Sequence, residues 1–152
     1  MSEDHQHAYY QAGALIYAAK QGLGGDDANY STTNSWRDIQ NAAGGTMTFS
    51  YTPPVDSWMV LELLSRFQTS TAGRSIEMHI WDGSAEVAYG MWSFVRTNFS
   101  HTVMLVGMKE LTARVTYTFQ ARYKLPADEA QTVYTMVGTN GIQFNYRVYR
   151  KP

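Results

Sequence analysis

The stretch from Val115 to Leu125 alternates without a break. Val115, Tyr117, Phe119, Ala121, Tyr123 and Leu125 are apolar or aromatic, and Thr116, Thr118, Gln120, Arg122 and Lys124 between them are polar. A period of two puts the first set on one face of a β-strand and the second set on the other. A slip of one residue would turn every apolar side chain to water, so the pattern fixes the facing as well as the strand.

Other segments repeat this pattern. Met47, Phe49 and Tyr51 alternate with Thr46, Thr48 and Ser50 until Pro53-Pro54 stops the strand. Ile76, Met78 and Ile80 alternate with Glu77, His79 and Trp81, and Asp82-Gly83 then turns the chain back through Ala85 to Tyr89. Phe99 to Val106 reads as a further strand. Ile142, Phe144, Tyr146 and Val148 face inward, with Gln143, Asn145, Arg147 and Tyr149 outward. A Thr139-Asn140-Gly141 hairpin is expected to join that last strand to Gln131–Val137. Trp58 to Gln68 is almost continuously apolar, which suits a central strand covered on both faces. Gly90 to Asn98 has no clean period. The expectation is an all-β fold over residues 36–152, an antiparallel two-sheet jelly-roll sandwich of about eight to nine strands.

Residues 1–35 differ in character. Ala8, Ala12, Leu15, Ile16 and Ala19 recur at spacings of three and four, which predicts a helix over about 8–21, closed by Gly24-Gly25 and followed by a polar linker. Such a helix is marginal alone and needs a surface to pack on. That surface is either this chain's own β domain or a neighbouring protein. In the second case Tyr9, Tyr10, Ala12, Leu15, Ile16 and Ala19 form an assembly contact on an N-terminal arm.

The chemistry is sparse. No cysteine is present, so thiol nucleophiles, disulfides and cysteine-held metals are excluded. A net charge of −1 with 16% charged residues gives no electrostatic footprint for nucleic acid. No apolar run is long enough for a membrane helix, and the acidic, polar start is unlike an export signal, so synthesis in the cytoplasm is expected. His5 and His7 could share a metal with Glu3 or Asp4, or simply be a polar terminus. His79 reads as a solvated or interface histidine. Glu62, Glu77 and Glu86 could pair as glycosidase acids if two faced each other across a cleft, and otherwise serve solubility. No nucleophile elbow, phosphate loop or calcium loop occurs. The expectation is a protein that is not an enzyme and needs no metal or cofactor.

Aromatics are the excess, at 14% of residues. Most fall at inward positions. Trp36, Trp81, Trp92 and Tyr149 remain as possible surface contacts, either for protein or, at Trp81 beside His79 and Asp82, for a sugar ring. Met91, Met104, Met108 and Met136 read as adaptable packing.

The segment from His101 to Tyr123, with its Met104-Leu105-Val106-Gly107-Met108 strand and its Tyr/Thr/Phe alternation, resembles a pattern in virion proteins of tailed bacteriophages that carry jelly-roll or C1q/TNF-like domains. Trp36-Arg37-Asp38-Ile39-Gln40, the Met47 to Tyr51 strand and the Asn140-Gly141 pair fit the same layout. One departure is Ala113-Arg114, where such turns often carry Pro or Gly. The resemblance implies a homotrimer on the capsid surface of a virion, a decoration or cement protein bound to the major capsid protein or another virion protein. The alternative it admits is a fibre module that binds host glycan or another receptor. Neither nucleic acid nor membrane is expected as a partner.

Overall fold

The computed structural model describes residues 13–25, 28–30, 34–69, 73–94, 100–126, 133–135 and 141–152. These residues contain strands and no helix. The strands are β1 (Leu15–Gly22), β2 (Ala28–Tyr30), β3 (Arg37–Asp38), β4 (Thr48–Tyr51), β5 (Ser57–Thr69), β6 (Arg74–Trp81), β7 (Glu86–Phe94), β8 (Ser100–Leu111), β9 (Tyr117–Lys124), β10 (Val133–Thr135) and β11 (Gln143–Arg150).

Pairing reduces them to eight lines. β10 and β11 both run antiparallel to β5, one beyond the other, and β2 and β1 run alongside them. β3 and β4 likewise share one side of β9. Taken in chain order, the lines of the first sheet run 1-8-3-6, from β1/β2 through β10/β11 and β5 to β8. Those of the second run 2-7-4-5, from β3/β4 through β9 and β6 to β7. This is the jelly-roll order of two antiparallel sheets, as the alternation predicts.

Side chains from both inner faces meet in one core. Met59, Leu61, Leu63 and Phe67 of β5, Phe144, Tyr146 and Val148 of β11, Ile76, Met78 and Ile80 of β6, and Phe119, Ala121 and Tyr123 of β9 are buried. Phe49 lies at its aromatic centre, 4.3 Å from the Tyr146 ring and 5.1 Å from each of Phe119 and Phe144. Truncating such a residue costs about 3–5 kcal/mol.

The structure corrects several expectations. Leu15 to Gln21, read as helix, is the strand β1, paired with β11 from Leu15↔Tyr149 to Gly22↔Gln143. Ile16 is the extra residue of a bulge, and Ile16, Ala19 and Leu23 lean on the core. The first part of the expected helix, with Tyr9, Tyr10 and Ala12, lies outside the described residues. β10 and β11 are not a hairpin pair, because each takes β5 as its partner. Within this chain β5 is covered on one face only, since Trp58, Val60, Glu62 and Leu64 on the other face stay partly exposed. Residues 90–94, without a clean period, continue β7. Val115 is 44% exposed and precedes β9. The Ala113-Arg114 turn holds Arg114 at φ 64°, the left-handed region that favours glycine, while its N–H donates to the Pro53 carbonyl.

Candidate functional site

The outer face of the β6–β7–β9 sheet carries the densest polar and aromatic cluster. The alternation that sends Met78 and Ile80 inward sends Glu77, His79 and Trp81 outward, opposite Lys124, Arg122 and Gln120 of β9. Trp36, just before β3, lies flat on His79, with ring centroids 3.7 Å apart and planes 4° from parallel. Trp81 stacks beside the same imidazole at 5.6 Å, and Tyr89 of β7 meets Trp36 edge-on at 6.5 Å. The Lys124 ammonium sits 4.9 Å from the Trp36 ring centroid.

His79 is therefore only 3% exposed, although it points away from the core. This corrects its reading as a solvated residue. Its Nδ1 lies 3.1 Å from Glu86 Oε2. Burial lowers the imidazole pKa; Glu86 pulls the other way, while Arg122 and Lys124 reinforce the lowering. The ring is neutral at pH 7, and the carboxylate fixes the proton on Nδ1. Nε2 is left buried without a hydrogen-bond partner among the described residues. A base needs hydrogen-bond reach to its substrate, and here indole covers the ring.

Around the stack the charges are paired. Tyr89 donates its hydroxyl to Glu77 Oε1 at 2.9 Å, and Lys124 Nζ is 3.0 Å from Glu77 Oε2. Hydrogen bonding to Glu77 and partial burial raise the Tyr89 pKa. Arg122 Nε lies 3.3 Å from Asp38 Oδ1, and its Nη2 donates to the Trp36 carbonyl at 3.4 Å. Beside them opens a cleft of about 220 Å³ lined by Trp36, Arg37, Asp38, Gln40 and Arg122. Glu77 and Glu86 share this face, whereas Glu62 belongs to the other sheet, where it meets Arg147 at 3.4 Å. The three acids do not gather at one place. No group of three or more metal-ligating side chains occurs among the described residues; His5 and His7 lie outside them.

A second feature is apolar. The sheets close on one another where β7 and β8 meet. A Cβ at Gly107 of β8 would stand 2.9 Å from the Ala88 Cβ and 3.2 Å from the Val87 carbonyl oxygen. Lys109 Nζ reaches across to Asp82 Oδ2 at 2.5 Å. Flanking this closed edge, Met104, Val106 and Met108 of β8 are 59%, 53% and 62% exposed, and Tyr89 and Met91 of β7 are 47% and 57% exposed. Met91, Met104 and Met108, expected as packing, face solvent in the single chain. The signal was in the sequence: Val103 to Gly107 is apolar at every position, which one buried face does not require.

The remaining expected contacts are scattered. Trp92, partly exposed, leans on the core opposite Ile76. Tyr149 lies on the outer face of the β5–β11 sheet between Leu15 and Trp58, and Lys151 covers Trp58 while pairing with Glu110. Leu15 is 56% exposed, whereas Ile16 and Ala19 are half-buried. Trp36 and Trp81 alone of the expected aromatics are brought together, and Asp38 and Arg122 join them without having been singled out in the sequence. No protein-family model matches the chain, and no curated protein is similar to it.

Proposed function

We propose that this chain is a non-enzymatic structural subunit that assembles with copies of itself through the β7–β8 edge. The observation that carries this reading is the row of Met104, Val106 and Met108 with Tyr89 and Met91 around one edge. Exposed apolar rows of this kind mark interaction sites. A net charge of −1 offers little repulsion between copies, which suits a second copy as the occupant. The assembly is a homotrimer in the manner of the bacteriophage virion domains the sequence resembles. Its place is the capsid surface, as a decoration or cement protein, with residues 1–12 as the attachment arm. The jelly-roll order is compatible with that role and with many others, so the reading rests on the edge and not on the fold.

Sedimentation of the purified protein tests it. The wild type should run as a trimer. Met104→Glu with Met108→Lys should run as a monomer with an unchanged β-sheet spectrum. A monomeric wild type at high concentration overturns the proposal. Removal of residues 1–12 should leave the trimer intact and abolish its incorporation into particles. The cut must stop there, since deletion through residue 30 would remove β1 and β2 from their sheet.

A further inference from the structure

We propose that the cleft beside Trp36 binds a single pyranose ring of a glycan. Trp36 supplies an apolar wall, and Asp38, Arg122, Gln40 and Arg37 supply polar groups from two neighbouring strand lines. A pyranose offers an apolar C–H face and a rim of hydroxyls, each of which both donates and accepts. It therefore calls for an aromatic surface with donors and acceptors side by side. Asp38 and Arg122 provide that pairing, a carboxylate 3.3 Å from a guanidinium nitrogen, each side chain about one-third exposed.

Other ligand classes fit less well. A phosphate or sulfate group needs donors alone and would meet the Asp38 carboxylate. A purely apolar ligand would leave three charged side chains without solvent. A peptide added as a strand would need a long free edge, and β3 is two residues long. The volume of about 220 Å³ lies below the roughly 300–1,000 Å³ of sites for drug-sized ligands. One ring and its glycosidic neighbours are what it can hold.

The site is also set in advance. Trp36 is stacked on His79 and its carbonyl accepts from Arg122, so the indole is fixed before any ligand arrives. Little ordering remains to oppose binding. His79 thus acts as a positioning residue beneath the wall, which explains why a buried imidazole lies on an outer face. The binding surface differs from the one that sequence alone suggested: Trp81 stacks beside His79 outside the lining, and Trp36 lines the cleft.

The test is a printed array of bacterial and animal glycans, followed by titration of each hit as its free monosaccharide, read by ligand-observed NMR. Wild type should bind at least one glycan, with a monosaccharide Kd on the order of 1 mM, as expected for so few contacts. Trp36→Ala should weaken that binding roughly tenfold or more, since a truncated aromatic anchor typically costs that much. Asp38→Asn, which keeps the shape of the cleft, should weaken it several-fold, and it decides the matter if Trp36→Ala does not fold. The Met104→Glu, Met108→Lys protein should keep the monosaccharide affinity, so failure of the assembly proposal is distinguishable from failure of this one. Absence of any hit overturns the proposal. So does a hit whose affinity is the same in wild type, Trp36→Ala and Asp38→Asn.

Discussion

The two long edges of the sandwich are closed by opposite means. At the β7–β8 edge the backbones themselves approach, because Gly107 has no side chain to hold them apart, and the Lys109–Asp82 ion pair spans the gap. At the β1–β4 edge the sheets stay apart and three tyrosines fill the space. Tyr17 stacks on Tyr51 at 5.4 Å and lies tilted against Tyr146 at 5.8 Å, and Tyr51 meets Tyr146 edge-on at 6.2 Å. One edge is closed by absence of bulk and a charge pair, the other by bulk and phenol groups. Among the described residues, exposed methionine flanks the first edge, while Leu15 and Tyr17 are 56% and 44% exposed beside the second.

Three experiments test whether the two edges are held by these different means. The largest effect is expected from Gly107→Val, whose new Cβ would press on Ala88 and on the Val87 backbone. Overpacking against backbone should cost about 3 kcal/mol in urea unfolding. A loss below about 0.5 kcal/mol would mean the edge does not depend on close approach.

The second concerns Asp82. Burial alone would raise its carboxyl, but Lys109, the Ser84 and Ala85 N–H groups and the Ser84 hydroxyl outweigh it and hold the pKa at about 2. A depressed carboxyl stabilises the fold above its unfolded pKa of 3.8, and that contribution is lost as pH falls from there towards 2. The shift corresponds to about 2 kcal/mol. Lys109→Met should cost about 2 kcal/mol at pH 7 by leaving a buried carboxylate without its cation. It should also move the acid limb of the stability curve to higher pH. Parallel curves for the two proteins between pH 2 and 7 would remove the ion pair from the account.

The third is the mirror image. Burial, followed by the neighbouring Tyr17 and Tyr51 hydroxyls, pushes the Tyr146 phenol up to about 12. The unfolded phenol loses its proton near 10, so stability contributed by the neutral group is present below that pH and declines as pH rises towards 12. Tyr146→Phe should cost about 1 kcal/mol or less at pH 7 and flatten the alkaline limb, measured by denaturant titration at stepped pH. The closed edge thus fails first in acid and the filled edge first in alkali. An alkaline limb unchanged in Tyr146→Phe would show that the tyrosine cluster is ordinary apolar packing.

Much of the fold was legible because burial on one face writes itself into every second residue. Phe119, Ala121 and Tyr123, or Phe144, Tyr146 and Val148, could face no other way. β1 was misread because an edge strand buries little. Its bulge at Ile16 shifts the phase, so Ile16 and Ala19 fall three apart, as on a helix. The β10–β11 hairpin was misread because Asn140-Gly141 reports local turn preference, and the partner of both strands is β5, far away in sequence. The cluster around His79 was half visible. Alternation placed Glu77, His79 and Trp81 outward, but only the tertiary fold brings Trp36 over the imidazole. Met104, Val106 and Met108 were visible as residues, while their exposure depends on what covers β8.

The pairing of β1 with β11 brings Gly13 and Arg150 together, with the Gly13 N–H donating to the Arg150 carbonyl at 2.8 Å and the Arg150 N–H to the Ala14 carbonyl at 2.9 Å. On the ribosome this means that β1, although made first, has no partner until β11 has emerged. The central strands β5 and β6 must likewise wait for later neighbours, so the core assembles late and from distant pieces. Folding of this kind is slow and leaves strand edges uncovered in the meantime. The same closeness makes residues 13 and 150 a natural seam: a short linker joining them would allow new ends to be opened in another surface turn.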